Sequence, residues 1–111
     1  PGRMPGPLAP LNLAEVGCLH FEAPDLTEFP GLALCYQAGR AGGTVPAALN
    51  AANEEAVAAF LAGEIGFLDI HQINERVVAD HSRQEADDLE RIMAADAWAR
   101  QQARSVISTL L

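Results

Sequence analysis

Beyond residue 29 apolar residues recur at spacings of three and four, and that periodicity predicts amphipathic helices. The first follows Phe29, with Pro30 at its first helical position, Leu32, Cys35, Tyr36 and Gly39 on one face and Gly42-Gly43 as its end. Thr44 is placed to cap a second helix with Pro46 in its first turn, an apolar stripe of Leu49, Ala52, Ala56, Val57, Phe60 and Leu61, and Gly63 as its stop. Ile65, Phe67 and Leu68 form an apolar connector, and Asp69 is placed to cap a third helix that buries Ile70, Ile73, Val77 and Val78. His81-Ser82-Arg83-Gln84 reads as a polar loop. Leu89, Ile92 and Met93 start a fourth helical segment, Asp96 suggests a fresh start, and Ala99, Ala103, Val106, Ile107 and Leu110 give a closing stripe. The loops are short, so neighbouring helices are expected to run antiparallel.

The first part of the chain lacks this pattern. Pro1, Pro5, Pro7 and Pro10, with Gly2 and Gly6, predict an extended lead-in, because each proline fixes its own φ and pushes the preceding residue out of the helical region. Asn12 to Gly17 suits one helical turn, Asn12 as cap and Gly17 as stop. Leu19-His20-Phe21-Glu22 alternates, which fits a short edge strand or an extended strap. The expected organisation is a lead-in over 1–18 and a helical domain over 19–111. The expected fold class is all-α: an antiparallel four-helix bundle-like domain with an irregular Pro-rich lead-in and a short strap.

Composition supports this and removes several functions. The 111 residues include 21 alanines and only 5% aromatics, so small helix-favouring side chains dominate. Net charge is -8, and all seven basic residues are arginine. Such a surface repels a phosphate backbone and an anionic membrane, so neither nucleic acid nor membrane is an expected partner. No apolar run approaches the roughly 20 residues of a membrane span. The start, Pro1 to Pro5, has no apolar signal core. A chain that begins with Pro reads as a fragment or processed product. Cys18 and Cys35 are expected to be buried thiols of a reducing cytosol.

The residues that carry chemistry are sparse. His20, His71 and His81 show no second ligand at helical metal spacing, and each reads as an ordinary surface or core histidine. Asp87, Asp88 and Glu90 suit the first turn of a helix, where negative charge complements the dipole, better than a cation site. Gly39, Gly42 and Gly43 lack the spacing and the lysine of a phosphate loop. The unusual stretch is Leu49 to Glu55, where Asn50 and Asn53 sit in a predicted helix interior that asparagine disfavours. Their amides mark either a polar site or a structural contact. The structural reading is favoured, with the backbone of a neighbouring loop such as 19–28 as partner. Phe60 is expected in the core.

In order along the chain, Leu19-His20-Phe21-Glu22-Ala23-Pro24-Asp25, Phe29-Pro30, the run from Ala41-Gly42-Gly43-Thr44 through Leu49-Asn50-Ala51-Ala52-Asn53-Glu54, the run Phe60 to Ile70, and Ala94 to Arg100 resemble the C-terminal domain of 1-deoxy-D-xylulose 5-phosphate reductoisomerase. Pro1-Gly2-Arg3-Met4-Pro5 resembles the segment just after that family's catalytic domain. The resemblance implies a three-part, cytoplasmic enzyme that dimerises through another domain. It rearranges 1-deoxy-D-xylulose 5-phosphate and reduces the product with NADPH, assisted by Mg²⁺ or Mn²⁺, to 2-C-methyl-D-erythritol 4-phosphate in the non-mevalonate route. The family's metal carboxylates, dinucleotide loop, phosphate ligands and mobile flap lie upstream of this stretch. No catalytic, cofactor-binding or metal residue is therefore assigned within 1–111, and neither NADPH nor a metal is expected to bind this chain alone. The implied partner is the remainder of the enzyme; the rival reading is a stand-alone acidic helical interaction module.

Overall fold

The computed structural model describes residues 2 and 6–110. The lead-in positions Pro1 and 3–5, and Leu111, lie outside the described residues. The chain is all-α: α1 is Leu13–Val16, α2 Gly31–Ala41, α3 Val45–Leu61, α4 Asp69–Asp80 and α5 Leu89–Leu110. No strand occurs among the described residues, so 19–25 is an extended strap rather than an edge strand.

Asn12 caps α1 as its residue type predicts: its side chain accepts from the Ala14 N–H at 3.1 Å, and Gly17 closes the turn. Residues 6–29 are nevertheless exposed throughout, Phe21 to 87%. They form an arm, and the radius of gyration is 18.1 Å, against about 13 Å for a compact chain of this length. The arm turns into α2 at Asp25, whose Oδ1 accepts from the N–H groups of Thr27 and Glu28. Those donors, Glu28 first, hold the Asp25 carboxyl below its usual range.

The helical body is built around α3. Thr44 meets His81 and Gln84, and Asn53 meets Asn74, so α3 and α4 run antiparallel. Glu54 meets Arg100 and Glu55 meets Arg104, so α3 and α5 run parallel, as two successive reversals require.

The core differs from the predicted stripes in one consistent way. α3 buries Val45, Ala48, Ala51, Ala52, Ala56 and Ala59, while Leu61 is 78% exposed and Phe60 is only partly buried, edge-to-face with Phe67 at 5.7 Å. α5 meets this seam with Ala99, Ala103 and Ile107. Axes packed this closely leave room for methyl groups and not for leucines, so the small residues go inward. The same error appears on α2, which buries Leu34 and Ala38, leaving Leu32, Cys35 and Tyr36 outside. Both cysteines are exposed rather than buried: Cys35 lies off the Leu34–Ala38 face, and Cys18 belongs to the arm. On α4, Ile73 and Val77 are buried as predicted, Ile70 and Val78 only partly, and Asn74 joins the core.

Three cap readings also change. Thr44 stands at the N-cap position of α3 as expected but makes no capping bond to it, its hydroxyl being engaged with the 81–84 loop. Asp69 is the first residue of α4 rather than its cap, and reaches back to the Gly66 N–H at 2.7 Å. Asp96 starts no new helix: α5 is continuous over 22 residues, and Asp96 pairs one turn on with Arg100 at 2.8 Å. Asp88 takes the cap role, accepting from the Arg91 N–H at 2.7 Å, in the acidic stretch read as a first turn.

Candidate functional site

Asn50 and Asn53 do not reach the strap. Asn50 is exposed and donates to Glu54 of its own helix at 2.9 Å, while Asn53 accepts from Asn74 of α4 at 2.9 Å. The α3–α4 contact thus contains an amide pair whose second member the periodic reading passed over. Asn74 is 8% exposed, and its Oδ1 has no partner. One turn before it, His71 is half-buried with Nδ1 also unpartnered, and its Nε2 lies 3.7 Å from Glu75. A carboxylate therefore does follow His71 at helical spacing, contrary to expectation. It supplies two groups and not a metal shell. Among the described residues no three His, Cys, Asp or Glu side chains converge on one point.

These residues border a groove of about 770 Å³ between α2, α3, α4 and the turn before α2. Phe29, Leu32, Leu34, Leu49, Phe67, Leu68 and Ile70 make it apolar, and Asn50, Asn53, His71 and Asn74 supply the polar atoms. Cys35 and His71 both line it with no hydrogen bond between them, and Glu28 is its one carboxylate.

A second constellation joins the α2–α3 turn to the α4–α5 loop. The Thr44 N–H donates to the Gln84 carbonyl at 3.0 Å, the Gln84 N–H donates to Thr44 Oγ1 at 3.1 Å, and Arg83 Nε donates to the Ala41 carbonyl at 2.7 Å. Thr44 is fully buried, and its Oγ1 lies 2.9 Å from His81 Nε2. Because Oγ1 already accepts from Gln84, its own proton is best placed on an unprotonated Nε2, with the other ring nitrogen protonated. The ring lies 5.0 Å from Trp98, and burial holds the His81 pKa below its ordinary 6.5.

The sign of the linkage follows. The unfolded chain takes up the His81 proton at a higher pH than the folded chain does. Stability from neutral His81 is complete above about pH 6.5 and is lost as pH falls through the folded value. Urea midpoints at about pH 7.5 and 5.5 should therefore differ in the parent, and differ less in His81→Gln. Equal falls in both chains would show that His81 titrates without consequence.

Across α3 and α5, Arg100 bonds to Glu54 at 2.7 Å and to Asp96, and Arg104 bonds to Glu55 at 2.9 Å. The Arg100 guanidinium, then the Asn50 amide, hold the Glu54 carboxyl below its usual range, and Asp96 and Glu54 push Arg100 upward. These groups fix helix register; every carboxylate in the network already has a cation.

The fold and the groove define a helical scaffold with an apolar cleft and a polar clasp between the α2–α3 turn and the α4–α5 loop. Residues 1–102 match the family model described as DXP reductoisomerase C-terminal domain, and the chain belongs to that family. It is 50% identical over 107 residues to the 1-deoxy-D-xylulose 5-phosphate reductoisomerase of Desulforamulus reducens, covering 96% of this chain and 28% of the relative. Against the Moorella thermoacetica enzyme of the same name the identity is 51% over 110 residues, covering 99% and 29%. A solved structure of the Zymomonas mobilis enzyme in complex with NADPH superposes with a TM-score of 0.83 at 42% identity, covering 95% of this chain and 28% of that one. A DOX-P reductoisomerase with fosmidomycin and magnesium gives 0.84 at 37%, covering 98% and 29%. The chain thus spans under a third of the length of these relatives.

Proposed function

We propose that this chain serves as the C-terminal helical domain of an enzyme that converts 1-deoxy-D-xylulose 5-phosphate to 2-C-methyl-D-erythritol 4-phosphate with NADPH and a divalent metal. Its part is to brace the catalytic domain. The observation that carries this is the family match over residues 1–102, joined to a fold whose described residues bring together no metal-ligating trio.

Neither NADPH nor Mg²⁺ fits the described side chains. The glycines at 42 and 43 form a tight turn closed against Gln84 rather than a cradle open to phosphate, and the groove offers amides and one imidazole but no set of carboxylates. No catalytic, cofactor-binding or metal role is therefore placed on residues 1–111. Residues 1–18 are the lead-in from the catalytic domain, and 19–111 are the domain. The net charge of -8 supports a domain that binds neither nucleic acid nor membrane, and among the described residues no helix is long and apolar enough to cross a membrane. The enzyme is cytoplasmic and dimerises through another domain.

The test follows NADPH absorbance with substrate and Mg²⁺. The enzyme containing this domain should turn over, and the 111-residue chain alone should show no rate above buffer. Turnover by the chain alone would place a reactive centre within it.

A further inference from the structure

Four of the exposed large apolar side chains, Phe29, Leu32, Phe67 and Leu68, border one groove, Phe67 being 67% exposed. The lining also carries the neutral amides of Asn50, Asn53 and Asn74. We propose that the groove between α2, α3 and α4 is the seat of an apolar polypeptide segment from the remainder of the enzyme.

Two observations select this occupant. Glu28 is the only charged residue on the lining, so the surface suits a neutral partner and offers nothing to a phosphate or a cation. The relatives that match this chain carry more than twice as much further polypeptide, which supplies the segment. A contiguous exposed apolar patch is the ordinary mark of a docked interface. This seat rests on the domain's being part of that enzyme, and it specifies which face meets the rest.

Cys35 lines the groove and is exposed in the structure, so it serves as a native probe. The whole enzyme is treated with iodoacetamide, native and urea-unfolded, and alkylation at Cys35 is followed by peptide mass spectrometry. The expected result is at least tenfold slower labelling in the native enzyme. Phe67→Glu, on an exposed ring at the rim, should restore most of the rate while the circular dichroism stays that of the parent. Near-equal native and unfolded rates overturn the seat. Protection that fades on dilution assigns the cover to a second copy and also overturns it, as does protection untouched by Phe67→Glu. NADPH turnover is measured on the same sample. An active enzyme with an open Cys35 defeats the seat alone, whereas an enzyme without turnover defeats the proposed function whatever Cys35 does.

Discussion

Gly43→Ala should lower the stability of the helical body by about 3 kcal/mol or more, a fall of roughly 10–20 °C in Tm for a domain of this size. Two causes act at one position. The φ of Gly43 is +55°, a left-handed conformation that costs an alanine about 1–2 kcal/mol. A Cβ there would also fall inside the van der Waals shell of the Gln84 carbonyl oxygen, which is backbone and is held in place by the Thr44 N–H. The loop must retreat, and its retreat breaks the paired Thr44–Gln84 bonds and separates Thr44 from His81. Gly63→Ala is the control. Its φ is +76°, but nothing lies within 4 Å of the added methyl, so only the conformational cost applies. Urea midpoints of the two variants decide the matter. If they coincide, the contact between the α2–α3 turn and the 84 carbonyl contributes nothing.

That contact joins residues forty positions apart, which explains why the sequence revealed one half of it. Gly42-Gly43 was legible as the end of α2, and Thr44 as the residue before α3, because those signals are local. What Thr44 does there was not legible, since a threonine before a helix ordinarily caps it, and only the folded chain brings Gln84 and His81 to its hydroxyl. The helices themselves were readable from periodicity, whereas the exposed arm runs on to residue 29, well past the prolines at 7 and 10. The inward faces of α2 and α3 were misread for a physical reason. Ranking side chains by size puts Leu32, Tyr36 and Leu61 inside, whereas close helix contact puts Ala38, Ala48, Ala51 and Ala59 there, beside the Ala52 and Ala56 that the stripe already named. The break expected at Asp96 failed because an aspartate with an arginine one turn on supports a helix as readily as a lone aspartate starts one. The groove was invisible in sequence, since its lining comes from α2, α3, α4 and the turn at 27–30, and its key amide, Asn74, lies on an otherwise regular α4 stripe. Family resemblance supplied what periodicity could not, namely the family to which the chain belongs.

Ile73→Ala should cost about 2–5 kcal/mol, toward the upper end of that range. Ile73 is fully buried in a cluster whose other buried members, among the described residues, are alanines with Ile65, Val77 and Ile107, and Phe60, Ile70, Trp98 and Val106 pack on it from outside. In a core of mixed sizes, neighbouring leucines can swing into a new cavity. Here alanine methyl groups have no torsion that reaches further, and the α3–α5 register is already fixed by Arg100 and Arg104. The void stays open, and the loss includes both the transfer free energy and the cavity. The matching control is Leu61→Ala, a change of similar size on a side chain 78% exposed, which should fall within about 0.5 kcal/mol of the parent. Equilibrium urea unfolding of the 111-residue chain measures both. A loss under about 1 kcal/mol for Ile73→Ala would mean that the helices close over the gap, and that the alanine seam is pliant rather than rigid. A pliant seam would also undercut the bracing role, because the groove borrows its shape from α3 and α4, and Ile73 precedes Asn74 on the helix that presents that amide to Asn53.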